Sequence, residues 1–245
     1  MGCSNGEGSL PIDGDNYILA YFYIGEEKAE EEHYILNNLE ENIQCVISIN
    51  DQVIPFSLKY KFPKEGEYKI KYSFKSPLIE TNRLFLACKT LGKVDLTHFQ
   101  TQKLKSMKDM FSDCKLLREA DFSGLDLQNV IDISGMLSYC GNLDKVDFSN
   151  IKTKNLEKME FLFKGCKYLE KINLSNFNTD NVKTMNNMFY NCKNLKNVNL
   201  SFFETKNVKN MRQMFSGCEE IEEIDLSNFN TENVTNMKAM FSRCT

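Results

Sequence analysis

Seven of the nine cysteines stand at Cys88, Cys114, Cys140, Cys166, Cys192, Cys218 and Cys244, each 26 residues after the last without an insertion between them. A side chain kept on so strict a period belongs to an architecture before it belongs to any chemistry, because only a recurring structural unit holds such a register. The text around the cysteines recurs with them. Residues 178–203 read "NTDNVKTMNNMFYNCKNLKNVNLSFF", the next 26 open "ETKNVKNMRQMFSGC", and a shortened copy, "NTENVTNMKAMFSRC", closes the sequence.

Within one unit, Val182, Met185, Met188, Phe189, Cys192 and Leu195 follow one another at spacings of three and four, the apolar stripe of an amphipathic helix. Asn178, Thr179 and Asp180 precede it as N-cap residues, with Asp180 at the positive end of the helix dipole. Residues 198–201, "VNLS", alternate apolar and polar with period two and predict a short strand. One helix and one strand cannot bury both apolar faces alone, whereas side-by-side stacking can. The expected fold is therefore α/β: a solenoid of parallel strands backed by helices. Its core should hold ladders of equivalent residues. These are the cysteines; Met110, Met136, Leu162, Met188, Met214 and Met240; Phe111, Leu137, Phe163, Phe189, Phe215 and Phe241; and Leu96, Phe122, Phe148, Leu174, Leu200 and Leu226. The swaps within each ladder are the ones a close-packed column tolerates.

The phrase "MFSGCEEIEEIDLSNFNTENVTNM", repeated with variations from residue 84 to residue 245, closely resembles the BspA-type, or mycoplasma-lipoprotein-like, leucine-rich repeat. The resemblance implies a leucine-rich-repeat solenoid, in a family described mostly from surface and adhesion proteins. The stretch "ISINDQVIPFSLKYKFPKEGEYKIKYSFKSPL" is similar to the lead-in found before such repeats in protist versions. Residues 16–80 predict a small antiparallel β-domain on their own account: "NYILAYFYI", "NIQCVISIN", "VIPFSLKYKF" and "EYKIKYSFK" are rich in β-branched and aromatic residues, with turn chemistry in "FPKEGEY". Its expected task is to cover the open end of the first repeat. The acidic residues 26–33 read equally as a helix or a solvated loop. The division is thus a tail over 1–15, a β-rich cap over 16–80, and repeats over 81–245 with the last truncated.

Composition narrows the function. Residues 1–80 carry 14 Asp and Glu against 7 Lys, a net of −7, and the whole chain is −4, so the repeats carry +3. No basic face capable of neutralising a phosphate backbone is implied, and nucleic acid is not an expected partner. The longest apolar run, residues 17–24, is too short to span a bilayer as a helix. The N-terminus shows neither the basic nor the apolar segment of a secretory signal, and free thiols in a reducing compartment are expected. The sequence shows no phosphate-binding glycine loop and no zinc-ligand spacing. His33 and His98 are the only histidines, and His98 falls at a turn site. No cofactor, metal or catalytic residue is expected, and the cysteine ladder reads as core rather than as a redox or metal site.

The strand's outward column is the candidate partner-binding site: Asp95, Asp121, Asp147, Asn173, Asn199 and Asp225, flanked by Lys93, Glu119, Lys145, Lys171, Asn197 and Glu223. The competing reading is that the Asp and Asn side chains only tie up neighbouring backbone. Finally, "MGCS" offers Gly2 to myristoylation and Cys3 to palmitoylation. The expected function is a non-enzymatic scaffold or adaptor that binds a protein partner, cytoplasmic and anchored to the inner membrane face if acylated. The alternative is an adhesin-like surface protein binding host proteins or glycans.

Overall fold

Alternation in "YILAYFYI" puts Ile18, Ala20, Phe22 and Ile24 on one face, and all four are buried in β1 (Tyr17–Ile24). The computed structural model, which describes residues 16–39 and 43–244, sets this strand in the middle of its seven-stranded sheet. A 3-10 turn at Glu26–Lys28 follows it, so the acidic segment is neither an α-helix nor wholly a loop. Then come β2 (Glu32–Tyr34), β3 (Cys45–Ile49), β4 (Gln52–Ile54), β5 (Lys59–Lys61) and β6 (Gly66–Phe74). The repeats contribute β7 (Leu91–Asp95), β8 (Glu119–Asp121), β9 (Asp126–Leu127), β10 (Lys145–Asp147), β11 (Lys152–Thr153), β12 (Lys171–Asn173) and β13 (Asn197–Asn199).

One sheet joins the two parts of the chain, in the order β10-β8-β7-β1-β6-β3-β4. β1 pairs antiparallel with β6 along its length, from Tyr17↔Ser73 to Ile24↔Gly66, and antiparallel with β7 on its other side, with a register shift at Tyr21/Phe22. From β7 onward the pairing is parallel and in register with the 26-residue period: Lys93↔Glu119↔Lys145 and Asp95↔Asp121↔Asp147. Smaller pairs are β9 with β11, β12 with β13 and β2 with β5.

The helical half of the expected fold is overturned: among the described residues there is no α-helix, and the chain is neither α/β nor a leucine-rich-repeat solenoid with a helical layer. Where the apolar spacing predicts a helix, each repeat forms a string of turns. In the second repeat, Met110, Ser112 and Cys114 donate their N–H groups to the carbonyls of Met107, Asp109 and Phe111, three residues back. The intervening residues Met107, Asp109, Phe111 and Asp113 donate to Asp132, Ser134, Met136 and Ser138 of the following repeat, at 2.8–2.9 Å. A helix would keep all these donors within its own segment. The backbone is also left-handed at every fourth residue: φ is 54° at Asp109 and 59° at Asp113, 63° at Gly135 and 59° at Tyr139, 59° at Asn187 and 57° at Asn191. An α-helix admits none of these angles. The expected cap residues accordingly join turns between coils: Thr179 is buried and its Oγ donates to the carbonyl of Glu204.

The repeats are therefore β-coils stacked in parallel. Isolated bridges run down the stack at Glu80, Ser106, Asp132, Lys158, Thr184, Asn210 and Asn236. An asparagine ladder missed by sequence reasoning ties each coil to the one before, as Asn129, Asn155, Asn181, Asn207 and Asn233 donate Nδ2 to carbonyls 27 residues earlier at 2.7–3.0 Å. Inside, the aromatic ladder stacks nearly face to face, with Phe163–Phe189 and Phe189–Phe215 centroids 5.5 and 5.4 Å apart. Cys88, Cys114, Cys140, Cys166, Cys192 and Cys218 are fully buried. From Cys114 onward each thiol also donates to a carbonyl 29 residues earlier, for example Cys166 Sγ to Leu137 O at 3.1 Å. Burial pushes these thiols well above the ordinary cysteine range, so they stay neutral.

The carbonyls that accept from these alternating turn-string amides face towards the N-terminus, and the first coil has no coil before it. Its carbonyls at Asn82, Leu84 and Leu86 accept instead from Asn38 Nδ2, the Asn37 amide and Asn37 Nδ2, at 2.8–2.9 Å. Residues 36–38 thus copy one edge of a missing coil.

Candidate interaction surface

Short strands with one buried central residue place their flanking side chains outward. Val94 and Ala120 are buried and Val146 half-buried, while Lys93, Glu119 and Lys145 form an outer row across β7, β8 and β10. Glu119 sits between two cations, 3.3 Å from Lys93 and 2.9 Å from Lys145. Hydrogen bonds from Lys145 and then Lys93 hold its carboxyl below the usual range. The same carboxylate raises the Lys145 ammonium. Beside this row Arg118 meets Asp144 at 3.3 Å, and further along Lys196 meets Glu170 at 3.5 Å. Charges on this face are largely neutralised by partners one repeat away.

Five members of the expected column lie where the sequence places them, at the strand exits, and Asp225 does not. Each member has a defined local task. Oδ1 of Asp95, Asp121, Asp147, Asn173, Asn199 and Asp225 accepts the backbone N–H two residues on, from Thr97, Ser123, Ser149, Ser175, Ser201 and Ser227, at 2.7–3.1 Å. These are Asx turns that end each strand, which is why Asp and Asn interchange along the column. The Ser227 hydroxyl and amide hold the Asp225 carboxyl below its ordinary range. Pairing brings Asp95, Asp121 and Asp147 together in one sheet and Asn173 with Asn199 in another. Asp225 lies outside any strand. His98 stacks on Tyr17 with centroids 4.5 Å apart. Gly2 and Cys3 lie outside the described residues.

What sequence reasoning missed is a groove of about 620 Å³ where β1 meets the first coils, lined by Tyr23, Leu116, Lys93, Arg118, Glu119 and Lys145. A shallower hollow of about 370 Å³ continues it towards Asp147 and Lys171. Tyr23 comes from the β-rich region, and its ring lies where a Cβ on Gly92 would stand, 2.1 Å from that position. Glycine in β7 is thus required for the wall to form. A hydrogen bond to Glu67, with partial burial, pushes the Tyr23 phenol up to about 12. Tyr23 and Leu116 remain 42% and 39% exposed, giving the groove an apolar strip between ion pairs. The signal in the sequence was the single break in the strand pattern, Gly92 of "LGKVD", but its meaning depends on a ring 69 residues away.

No group of three or more metal-ligating side chains converges among the described residues. No helix of the described chain is long and apolar enough to cross a membrane. A family profile described as "Mycoplasma protein of unknown function, DUF285" matches residues 79–173 and, in a second overlapping match, residues 165–245. No curated protein and no solved structure matches the chain.

Proposed function

The chain belongs to the family of mycoplasma proteins of unknown function, DUF285, and on that footing we propose that it is a non-enzymatic protein-interaction module that presents the sheet face of its first coils to a protein partner. The observation that carries this reading is the groove between Tyr23 and Leu116. It combines exposed apolar surface with backbone held rigid by a continuous sheet, the arrangement in which small numbers of aromatic and aliphatic contacts dominate binding. Because the flanking charges are paired with one another, recognition depends on contact more than on long-range steering. The Asp and Asn column takes a supporting part, since each side chain keeps a second oxygen or an amide outward while Oδ1 holds the turn.

The finer kinship to the BspA-type repeat belongs to this proposal, and a surface position binding host proteins or glycans follows from it as the alternative. We place the module in the cytoplasm, with attachment to the inner membrane face through Gly2 and Cys3. Metabolic labelling with alkyne myristate tests that attachment: label lost in Gly2→Ala supports it, and protein digested by protease on intact cells overturns it.

The groove itself is tested with a photo-crosslinking residue at position 116 and, as a comparison, at exposed position 232. A discrete adduct from position 116 that disappears with Arg118→Glu is expected. Equal adducts from both positions, or none from position 116, would sink the reading.

A further inference from the structure

Two rings on the turn side stand where the backbone favours other residues. Tyr139 and Phe161 have φ of 59° and 61°, a left-handed conformation in which bulky side chains are uncommon. The neighbouring coils carry Asp113 and Gly165 at the Tyr139 position, and Gly135 and Asn187 at the Phe161 position. The two exceptions belong to one cluster. Lys164 Nζ lies over three rings, 5.2 Å from the centroids of Tyr139 and Phe161 and 5.4 Å from that of Tyr190. Gly165 makes the room, since a Cβ there would stand 2.9 Å from Cδ1 of Tyr139. The ladder fixes the backbone beneath: Gly165 donates to the Tyr190 carbonyl at 2.7 Å, and Phe161 to that of Asn186 at 3.1 Å. Uncommon backbone held in place by its surroundings gathers at binding sites. Tyr139 is 49% exposed and Phe161, Lys164 and Tyr190 are half-buried, so the cluster is open to a ligand.

The charge in this cluster is unanswered. Among the described residues no carboxylate lies within ion-pair distance of Lys164 or of Lys167, whereas Lys115 and Lys193, in the same row as Lys167, have Asp113 at 3.8 Å and Glu219 at 2.6 Å. Ring contact holds the Lys164 ammonium without supplying an acceptor, so its N–H donors remain to be met. We propose that Tyr139, Phe161, Tyr190 and Lys164 form a second binding site, which takes an acidic segment of a protein partner. A carboxylate meets the Lys164 ammonium, its methylene stem lies against the rings, and a second acidic residue reaches Lys167. Charge complementarity carries the choice of an acidic ligand: two cations without acids stand at a half-buried aromatic surface, where a charge-assisted hydrogen bond anchors most strongly. One face of each ring is taken by the lysine, which suits a side chain better than a sugar ring lying flat across the rings. None of the four residues lines the groove under Tyr23, so either site can fail without the other.

Fluorescence anisotropy on the full chain tests the proposal, with a short labelled peptide of alternating Glu and Leu as the probe, the same peptide with Gln for Glu as its control, and polygalacturonate as a competing acidic glycan. Saturable binding of the acidic peptide with a Kd below about 1 mM is expected. Lys164→Met and Tyr139→Asn should each weaken it about 10-fold, while Lys145→Met, in the groove, leaves it unchanged. Carbodiimide should join the bound peptide to Lys164, as read by mass spectrometry. Tyr139→Asn also separates binding from folding, because Asn191 occupies the same position two coils on and asparagine tolerates the left-handed backbone. Its thermal midpoint should hold or rise while binding falls. A midpoint lowered by more than about 4 °C would show that the rings are structural packing, and the proposal fails. It fails equally if no saturable binding is reached by about 1 mM, if the Gln peptide binds as well, or if Lys164→Met costs no more than Lys145→Met. Tighter binding of polygalacturonate than of the peptide makes this a glycan site and overturns the protein partner.

Discussion

The two sides of each coil obey different rules. On the turn side, alternate amides bond to the next coil from the first repeat to the sixth, thiols bond to the coil before from the second repeat onward, and the Phe and Met ladders have no exposed member until Phe241. On the strand side the pattern loosens. β7, β8 and β10 join the large sheet, β12 and β13 pair apart from it, and residues 223–225 form no strand. The difference teaches where the molecule is held together and where it is free to differ. Buried ladders constrain every repeat alike, whereas outward residues answer only to the Asx turn beneath them, so surface chemistry varies without cost to the stack.

The comparison is broken most severely by removing a rung on the turn side. Phe163→Ala, in the middle of the stacked column, should cost about 3–5 kcal/mol in chemical denaturation, because the neighbouring coils cannot close around the gap. A loss below 1 kcal/mol would show the column to be dispensable.

Alkaline pH attacks the same side. The unfolded thiols titrate near 9, while burial raises Cys114, Cys166 and Cys192 well above that and Cys218 to about 12. A raised folded value means the thiol contribution is fully present below pH 9 and declines as pH rises from there through the folded values. Thermal midpoints should fall progressively above pH 9, more steeply than in a Cys166→Ala variant compared with its own neutral-pH midpoint. In the folded protein these thiols should resist labelling reagents until unfolding.

A sharper cut is Gly217→Ala. The residue has φ 78°, and an added Cβ would stand 2.3 Å from Asn191 Oδ1. The backbone conformation alone costs roughly 1–2 kcal/mol. Making Asn191→Ala with it should return only the contact part, measurable as coupling in a double-mutant cycle.

On the strand side, Asp121→Ala should cost about 1 kcal/mol by leaving the Ser123 amide without its acceptor, while Asp121→Asn should be nearly neutral, as Asn173 and Asn199 show. Equal losses for the two would rule out the turn role. The smallest effect belongs to Glu119→Gln. It removes two exposed ion pairs worth together no more than about 1 kcal/mol, and the difference from the unmodified chain should vanish at high salt.

The sequence by itself determined the register and the interior. Period 26, the burial of the cysteines, the Met and Phe ladders, the short strands and the outward Asp and Asn column all follow from apolar positions read one repeat against another. It could not determine what joins those positions. Spacings of three and four serve an amphipathic helix and a string of turns equally, since in each the chain returns to the same side after three or four residues, as the burial of Met107, Met110, Phe111, Cys114 and Leu117 shows. The choice rests on whether the amides of Met107, Asp109 and Phe111 bond within their own segment or to Asp132, Ser134 and Met136 of another, and only stacking places those carbonyls within reach. The groove and the front cap were decided in the same way. Tyr23 lies over Gly92, and Asn37 reaches Leu84 and Leu86, because β1 pairs with β7. A local pattern specifies which side chains face inward, and long-range hydrogen bonding decides the backbone that carries them.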